Sequence, residues 1–134
     1  MNKTLKTKKS FILIVEDEWM IADACRMILE AEGYEVAVVN EGQQALDFLK
    51  EKVPNIILLD LRMPVMDGLE FLRQVDLLKN FPDLPVIVFS NYDVQKDVDE
   101  AYSYGATRYI LKAWASPKEL AKVVKETLAN GSKR

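Results

Sequence analysis

Five short apolar runs, each followed by a stretch of helical periodicity, constrain this chain more than any other feature. Phe11-Ile-Leu-Ile-Val15 is the first run, and after it Ile21, Ala24, Cys25, Ile28 and Leu29 recur at helical spacing until Gly33. Residues 34–39 read as the second strand, and residues 41–52 bring Ala45, Phe48 and Leu49 onto one helical face. Residues 55–59 form the third, leading through Asp60 and a Pro64 turn into a helix that carries Phe71, Leu72, Val75 and Leu78. Residues 84–89 are the fourth, after which Val94, Val98, Ala101 and Tyr102 mark a helix ending near Gly105. Residues 107–111 are the fifth. The last helix is punctuated locally: Ser116 caps it, Pro117 takes the first helical position, Glu119 completes a capping box, and Gly131 stops it. Leu120, Val123, Val124 and Leu128 supply its buried stripe.

Strands that are apolar without alternation are buried on both faces, which five successive βα units achieve in a parallel sheet with helices on each side. Right-handed crossovers then favour a doubly wound five-stranded sheet in the order 2-1-3-4-5. The first, third and fourth runs are the most apolar and suit the centre. The second and fifth contain Glu35 and Arg108 and suit the edges. Ligands of such sheets bind outside the carboxyl ends of the strands, at the switch point between strands one and three.

At 134 residues and 49% hydrophobic content the chain has room for one domain, expected over residues 10–130, with a short tail at 131–134 and no output domain. Its apolar runs are too short to span a bilayer and no signal peptide precedes them, so a cytoplasmic location without membrane association is expected. Of eighteen basic residues, Lys3, Lys6, Lys8, Lys9, Lys133 and Arg134 lie at the ends, leaving twelve against twenty-one acidic residues, or −9, for positions 10–132. A body so acidic repels nucleic acid, and residues 1–9 read as a basic, disordered arm. The single Cys25 falls on a helix stripe as a buried structural thiol. With no histidine, Ser-His-Asp and Cys-His catalysis, histidine metal sites and a phosphohistidine carrier are excluded.

The polar residues that close the runs carry the chemistry. Strand one ends in Glu16-Asp17, strand three in Asp60, strand four in Ser90 and strand five in Lys112, and the topology brings them to one rim. Three converging carboxylates repel one another unless a cation neutralises them. Mg²⁺, a hard ion that keeps waters and takes carboxylate and phosphate oxygens, suits that set better than calcium or zinc. Lys112 and Ser90 facing the metal are natural partners for phosphoryl oxygens. The reaction suggested is phosphoryl transfer to the Asp60 carboxylate.

Val15-Glu-Asp17, Leu58-Leu-Asp-Leu-Arg-Met-Pro-Val-Met-Asp-Gly68, Phe89-Ser90 and Tyr109-Ile-Leu-Lys112 resemble the signature segments of the receiver domain of two-component response regulators. The resemblance covers about residues 10–130 and implies a flavodoxin-like (βα)5 fold with Asp60 as phosphoacceptor. It also implies Mg²⁺ held by Asp17, Asp60 and the backbone carbonyl of Arg62, with Glu16 acting through water. Ser90 and Tyr109 would be the switch pair. The phosphoryl donor would be a histidine kinase or histidine phosphotransfer protein, and the output a changed surface offered to a protein target that the sequence does not identify. Three alternatives stay open here: a phosphorylation-independent interaction module, a small aspartyl-phosphate phosphatase, and a flavin carrier, which would want a phosphate loop after strand one that this chain lacks. A phosphorylation-dependent homodimer is a further open point.

Two positions depart from the family pattern. Ala113 follows Lys112 where the family usually has proline, so a trans Lys112-Ala113 bond and a rearranged loop are expected. Asn91 follows Ser90 where a small residue is common, which would narrow access to a phosphoryl group and slow its hydrolysis. Asp67 is expected to cap the third helix, with Gly68 shaping the turn beside it. Trp19 and Trp114 are read as packing or partly exposed residues.

Overall fold

The computed structural model describes residues 9–131. The basic arm expected at 1–9 lies, but for Lys9, outside the described residues, as do residues 132–134 of the tail. Five strands, β1 (Phe11–Val15), β2 (Glu35–Val39), β3 (Ile56–Leu59), β4 (Val86–Ser90) and β5 (Arg108–Leu111), form one parallel sheet in the order β2-β1-β3-β4-β5. This is the expected doubly wound, flavodoxin-like arrangement. All residues of β1, β3 and β4 are buried, whereas β2 and β5 each begin with an exposed residue.

The period-two geometry of a strand divides the core into two layers. Leu13 and Val15 point with Ile57, Leu59, Val86 and Val88 towards α2 (Gly42–Glu51), α3 (Gly68–Val75), α4 (Leu77–Asn80) and α5 (Gln95–Ser103). Ile12 and Ile14 point with Ile56, Leu58, Ile87 and Phe89 towards α1 (Trp19–Ala31) and α6 (Pro117–Asn130).

Local signals set the helix ends. Asp67 accepts from the Glu70 N–H at 2.9 Å and Ser116 accepts from Glu119 N–H at 3.1 Å, the two caps expected from sequence. Glu41 caps α2 by accepting from Gln43 N–H at 2.5 Å. Three helix stripes differ from their sequence reading. Ala22 replaces Ala24 on the buried face of α1. The third helix stops at Val75 because Asp76 takes a left-handed φ of 50°, and the restart as α4 buries Leu77 while Leu78 faces outward. On α5 the buried positions are Asp97 and Ala101, and Val94 and Tyr102 are exposed. Cys25 is buried as expected, and burial first, then the Glu16 charge, push its thiol up to about 11. None of the described helices is long and apolar enough to cross a membrane.

Candidate functional site

The carboxyl ends of β1, β3, β4 and β5 meet at one rim, and each delivers its terminal polar group there. Glu16, Asp60 and Ser90 are buried, and the Lys112 side chain is only 7% exposed. Glu16 and Asp60 are locked in place by the sheet itself: Glu16 N–H donates to Val39 C=O at 3.0 Å and Asp60 N–H to Val15 C=O at 2.9 Å. Carboxylate oxygens of Glu16, Asp17 and Asp60 all lie within 4.8 Å of one another, an arrangement able to coordinate a divalent cation.

Lys112 is the counter-charge. Its Nζ donates to Glu16 Oε1 at 2.6 Å and stands 3.4 Å from Asp60 Oδ1. Sequence reasoning paired this lysine with a phosphoryl group on Asp60, and the structure adds Glu16 as its nearer partner. Burial raises the pKa of both Asp60 and Glu16, with Lys112 opposing the rise at each. Burial would depress the Lys112 ammonium, but its hydrogen bond to Glu16 and the charges of Asp60 and Glu16 hold its pKa above the ordinary value. A buried triad with one cation and two carboxylates therefore has a standing demand for further positive charge.

The peptide bonds of the described residues are all trans, Lys112-Ala113 included, and the chain leaves β5 through a 3-10 turn over Lys112–Trp114. The trans bond expected there is present, and this loop delivers Lys112 to the carboxylates. Asn91 is exposed and lines, beside Lys112, a cavity of about 400 Å³ between α1 and the start of α6. Trp19 and Trp114 are 74% and 80% exposed, so neither packs in the core.

The loop after β3 is held from below. Gly68 N–H donates to Leu61 C=O at 2.9 Å, and Gly42 N–H donates to Met66 C=O at 2.8 Å. Gly68 does more than shape a turn. A Cβ at this position would overlap the Asp60 carbonyl oxygen and come within 2.8 Å of Leu61 Cα, so α3 can start against the end of β3 only without a side chain. The left-handed residue of this loop is Val65, with φ 67° and its side chain in solvent.

Ser90 and Tyr109 are near one another but are engaged elsewhere than at Asp60. Ser90 Oγ accepts from Tyr92 N–H at 3.1 Å, and Tyr109 Oη donates to Tyr92 C=O at 2.6 Å. Sequence reasoning missed the residues that surround this loop. The Arg62 guanidinium pairs with Asp97 on α5 and lies over the Tyr92 ring, 4.9 Å from its centroid. The available signal was Asp97 itself, a carboxylate four residues before Ala101 on the inward face of a helix.

A five-stranded α/β sheet with a buried aspartate, a tri-acidic cluster and a lysine at its switch point defines the class of phosphoacceptor signalling modules. Residues 12–125 match the sequence profile of the response regulator receiver domain, and the chain belongs to that family. It is 32% identical over 124 residues to the DNA-binding response regulator MtrA of Mycobacterium tuberculosis, covering 92% of this chain and 53% of MtrA. The chain thus spans about half the length of that relative. Among solved structures it resembles a CheY-like response regulator receiver domain protein from Methanospirillum hungatei. The TM-score is 0.85 at 31% identity, over 92% of this chain and 96% of that one. It also resembles the receiver domain of the sensor histidine kinase PA1611 from Pseudomonas aeruginosa, whose active-site cleft holds a coordinated magnesium ion. There the TM-score is 0.81 at 26% identity, over 91% and 99% of the two chains. Membership of this family sets aside the phosphatase and flavin alternatives.

Proposed function

We propose that Asp60 accepts a phosphoryl group from a phosphohistidine of a histidine kinase or histidine phosphotransfer protein. A carboxylate oxygen of Asp60 attacks phosphorus, the P–N bond breaks, and its electron pair leaves with the imidazole. The observation that carries this reading is the buried Asp60 carboxyl with Lys112 Nζ at 3.4 Å and two further acids alongside.

The residues present fit Mg²⁺: Asp17 and Asp60 would hold it directly, with the Arg62 backbone carbonyl, and Glu16 would act through water. When bound, the ion neutralises charge on the transferred phosphoryl oxygens. The magnesium in the cleft of the PA1611 receiver supports this assignment. Lys112, released in part from Glu16, neutralises a second phosphoryl oxygen as a point charge. Ser90 gives up its contact with Tyr92 to donate to a third, and Tyr109 moves into the space left behind. The surface of α5, β5 and α6, where Tyr102 and Trp114 are exposed, is then offered in a changed form to a target protein. This reading places the chain in the cytoplasm.

The test is intact-protein mass after incubation with Mg²⁺ and acetyl phosphate. One phosphoryl adduct is expected, absent in Asp60→Asn and in the metal-free sample. No adduct in the wild type would overturn the reading.

A further inference from the structure

The main-chain groups of one residue, Tyr92, occupy both side chains assigned to the switch. Its N–H binds Ser90 Oγ and its C=O binds Tyr109 Oη. Tyr92 lies in the exposed segment between β4 and α5, and its main-chain groups bond to side chains. α5 also begins without a side-chain cap at Val94.

The Arg62 side chain ties this segment to the loop that follows Asp60. Arg62 follows Asp60 by two residues, and its main-chain N–H lowers the pKa of the Asp60 carboxyl against the rise caused by burial. Its guanidinium spans outward to cover the Tyr92 ring and to pair with Asp97 in the first turn of α5. The Asp97 side chain is 11% exposed while that of Arg62 is 52% exposed, so the pair is sheltered on one side only. Arg62 therefore has a contact on each of the three parts that must move relative to one another: the Asp60 loop, the Tyr92 segment and α5.

We infer that the Arg62 side chain is a positioning residue, a latch that holds Tyr92, and through it Ser90 and Tyr109, in the arrangement described here. The inference rests on the phosphoacceptor reading above. The Ser90 hydroxyl accepts from Tyr92 N–H, and turning Oγ towards a phosphoryl oxygen on Asp60 carries it away from that N–H, so every interaction that fixes Tyr92 opposes the turn. The latch thereby sets how much of the free-energy difference supplied by phosphorylation is needed to shift the population. A partly exposed ion pair and a cation–π contact together correspond to a shift of about fivefold.

Two measurements on the whole chain test this, in wild type, Arg62→Met, Asp97→Asn and the double variant. The first is amide hydrogen exchange without any phosphoryl analogue. Exchange at Tyr92 and through the first turn of α5 is expected to rise about fivefold in Arg62→Met, which loses both contacts, and about two- to threefold in Asp97→Asn, which loses only the ion pair, with β1 and β3 unaffected. The double variant is expected to add nothing to the larger single effect, as two halves of one interaction require. The second is the affinity for beryllofluoride with Mg²⁺, expected to tighten about fivefold in Arg62→Met and about two- to threefold in Asp97→Asn. Unchanged exchange in Asp97→Asn would overturn the latch. Faster exchange with unchanged analogue affinity would overturn its coupling to the switch. A wild type that binds no analogue at all would instead overturn the phosphoacceptor reading, and the coupling with it, while the exchange data still judge the latch.

Discussion

The loops that leave β3 and β4 stand side by side at the rim and are built in opposite ways. The β3 loop is fixed by main chain: Gly68 and Gly42 donate backbone bonds to it, and α3 starts in direct backbone contact with Asp60 and Leu61. The β4 loop is fixed by side chains: Ser90, Tyr109 and the Arg62–Asp97 pair hold it, and residues 91–96 are all exposed. Backbone packed against backbone has one arrangement, whereas side-chain contacts at a surface can be exchanged for others at a cost of order 1 kcal/mol. Under the proposed function, that difference would separate a residue that stays in place, Asp60, from a segment that shifts.

The comparison breaks most severely if the charge balance of the fixed side is removed. Lys112→Met leaves Glu16 and Asp60 buried without their cation, and a loss of about 3–5 kcal/mol in metal-free urea unfolding is expected. Added Mg²⁺ should restore part of it, since an ion that binds only the folded chain stabilises by mass action. Gly68→Ala attacks the same side sterically and should cost about 1–3 kcal/mol. It should also lose most phosphorylation by acetyl phosphate, because the methyl meets the Asp60 main chain itself. Equal adduct yield in Gly68→Ala and wild type would show that the β3 loop yields more readily than its packing implies.

Val65 offers a gain on the same loop. A β-branched residue at φ 67° is strained by about 1–2 kcal/mol, and Gly removes that strain at an entropic cost of about 0.5–1. Val65→Gly should therefore stabilise the chain by roughly 0.5–1 kcal/mol, visible as a raised Tm.

A pH series sharpens the point electrostatically. Burial raises the Asp60 pKa, so folding disfavours its ionised form, and that penalty is present above the raised value. It fades as pH falls through the raised value and is gone below the ordinary one of 3.8. Asp60→Asn should therefore make the metal-free chain more stable at pH 7, with the advantage shrinking as the buffer is acidified. A gain that stays constant with pH would assign the effect to packing rather than charge. The smallest effect belongs to the β4 loop: Asn91→Ala should hasten loss of the phosphoryl group by a few-fold at most, read as decay of the intact-mass adduct.

Much of this was legible in the amino-acid order. The five apolar runs, the caps at Asp67 and Ser116 and the polar residues that end β1, β3, β4 and β5 all follow from patterns a few residues long. Strand order followed too, because β2 and β5 carry exposed residues that central strands could not. Misreadings fell where a local pattern was ambiguous. Leu77 and Leu78 are adjacent, and a single left-handed Asp76 decided which faces the core.

The sequence by itself determined the doubly wound sheet and the set of groups at its rim, since hydrophobic period and capping are local and survive any tertiary detail. Only the tertiary structure decided how those groups are paired. That Lys112 binds Glu16, 96 residues away, more closely than Asp60, and that Arg62 reaches Asp97 across 35 residues, depend on distances of a few ångströms between separate elements. The same holds for Gly68, whose missing side chain matters only because two backbones pass too close for one. Interactions that fall off over such lengths are set by how elements pack, which no short stretch of chain contains.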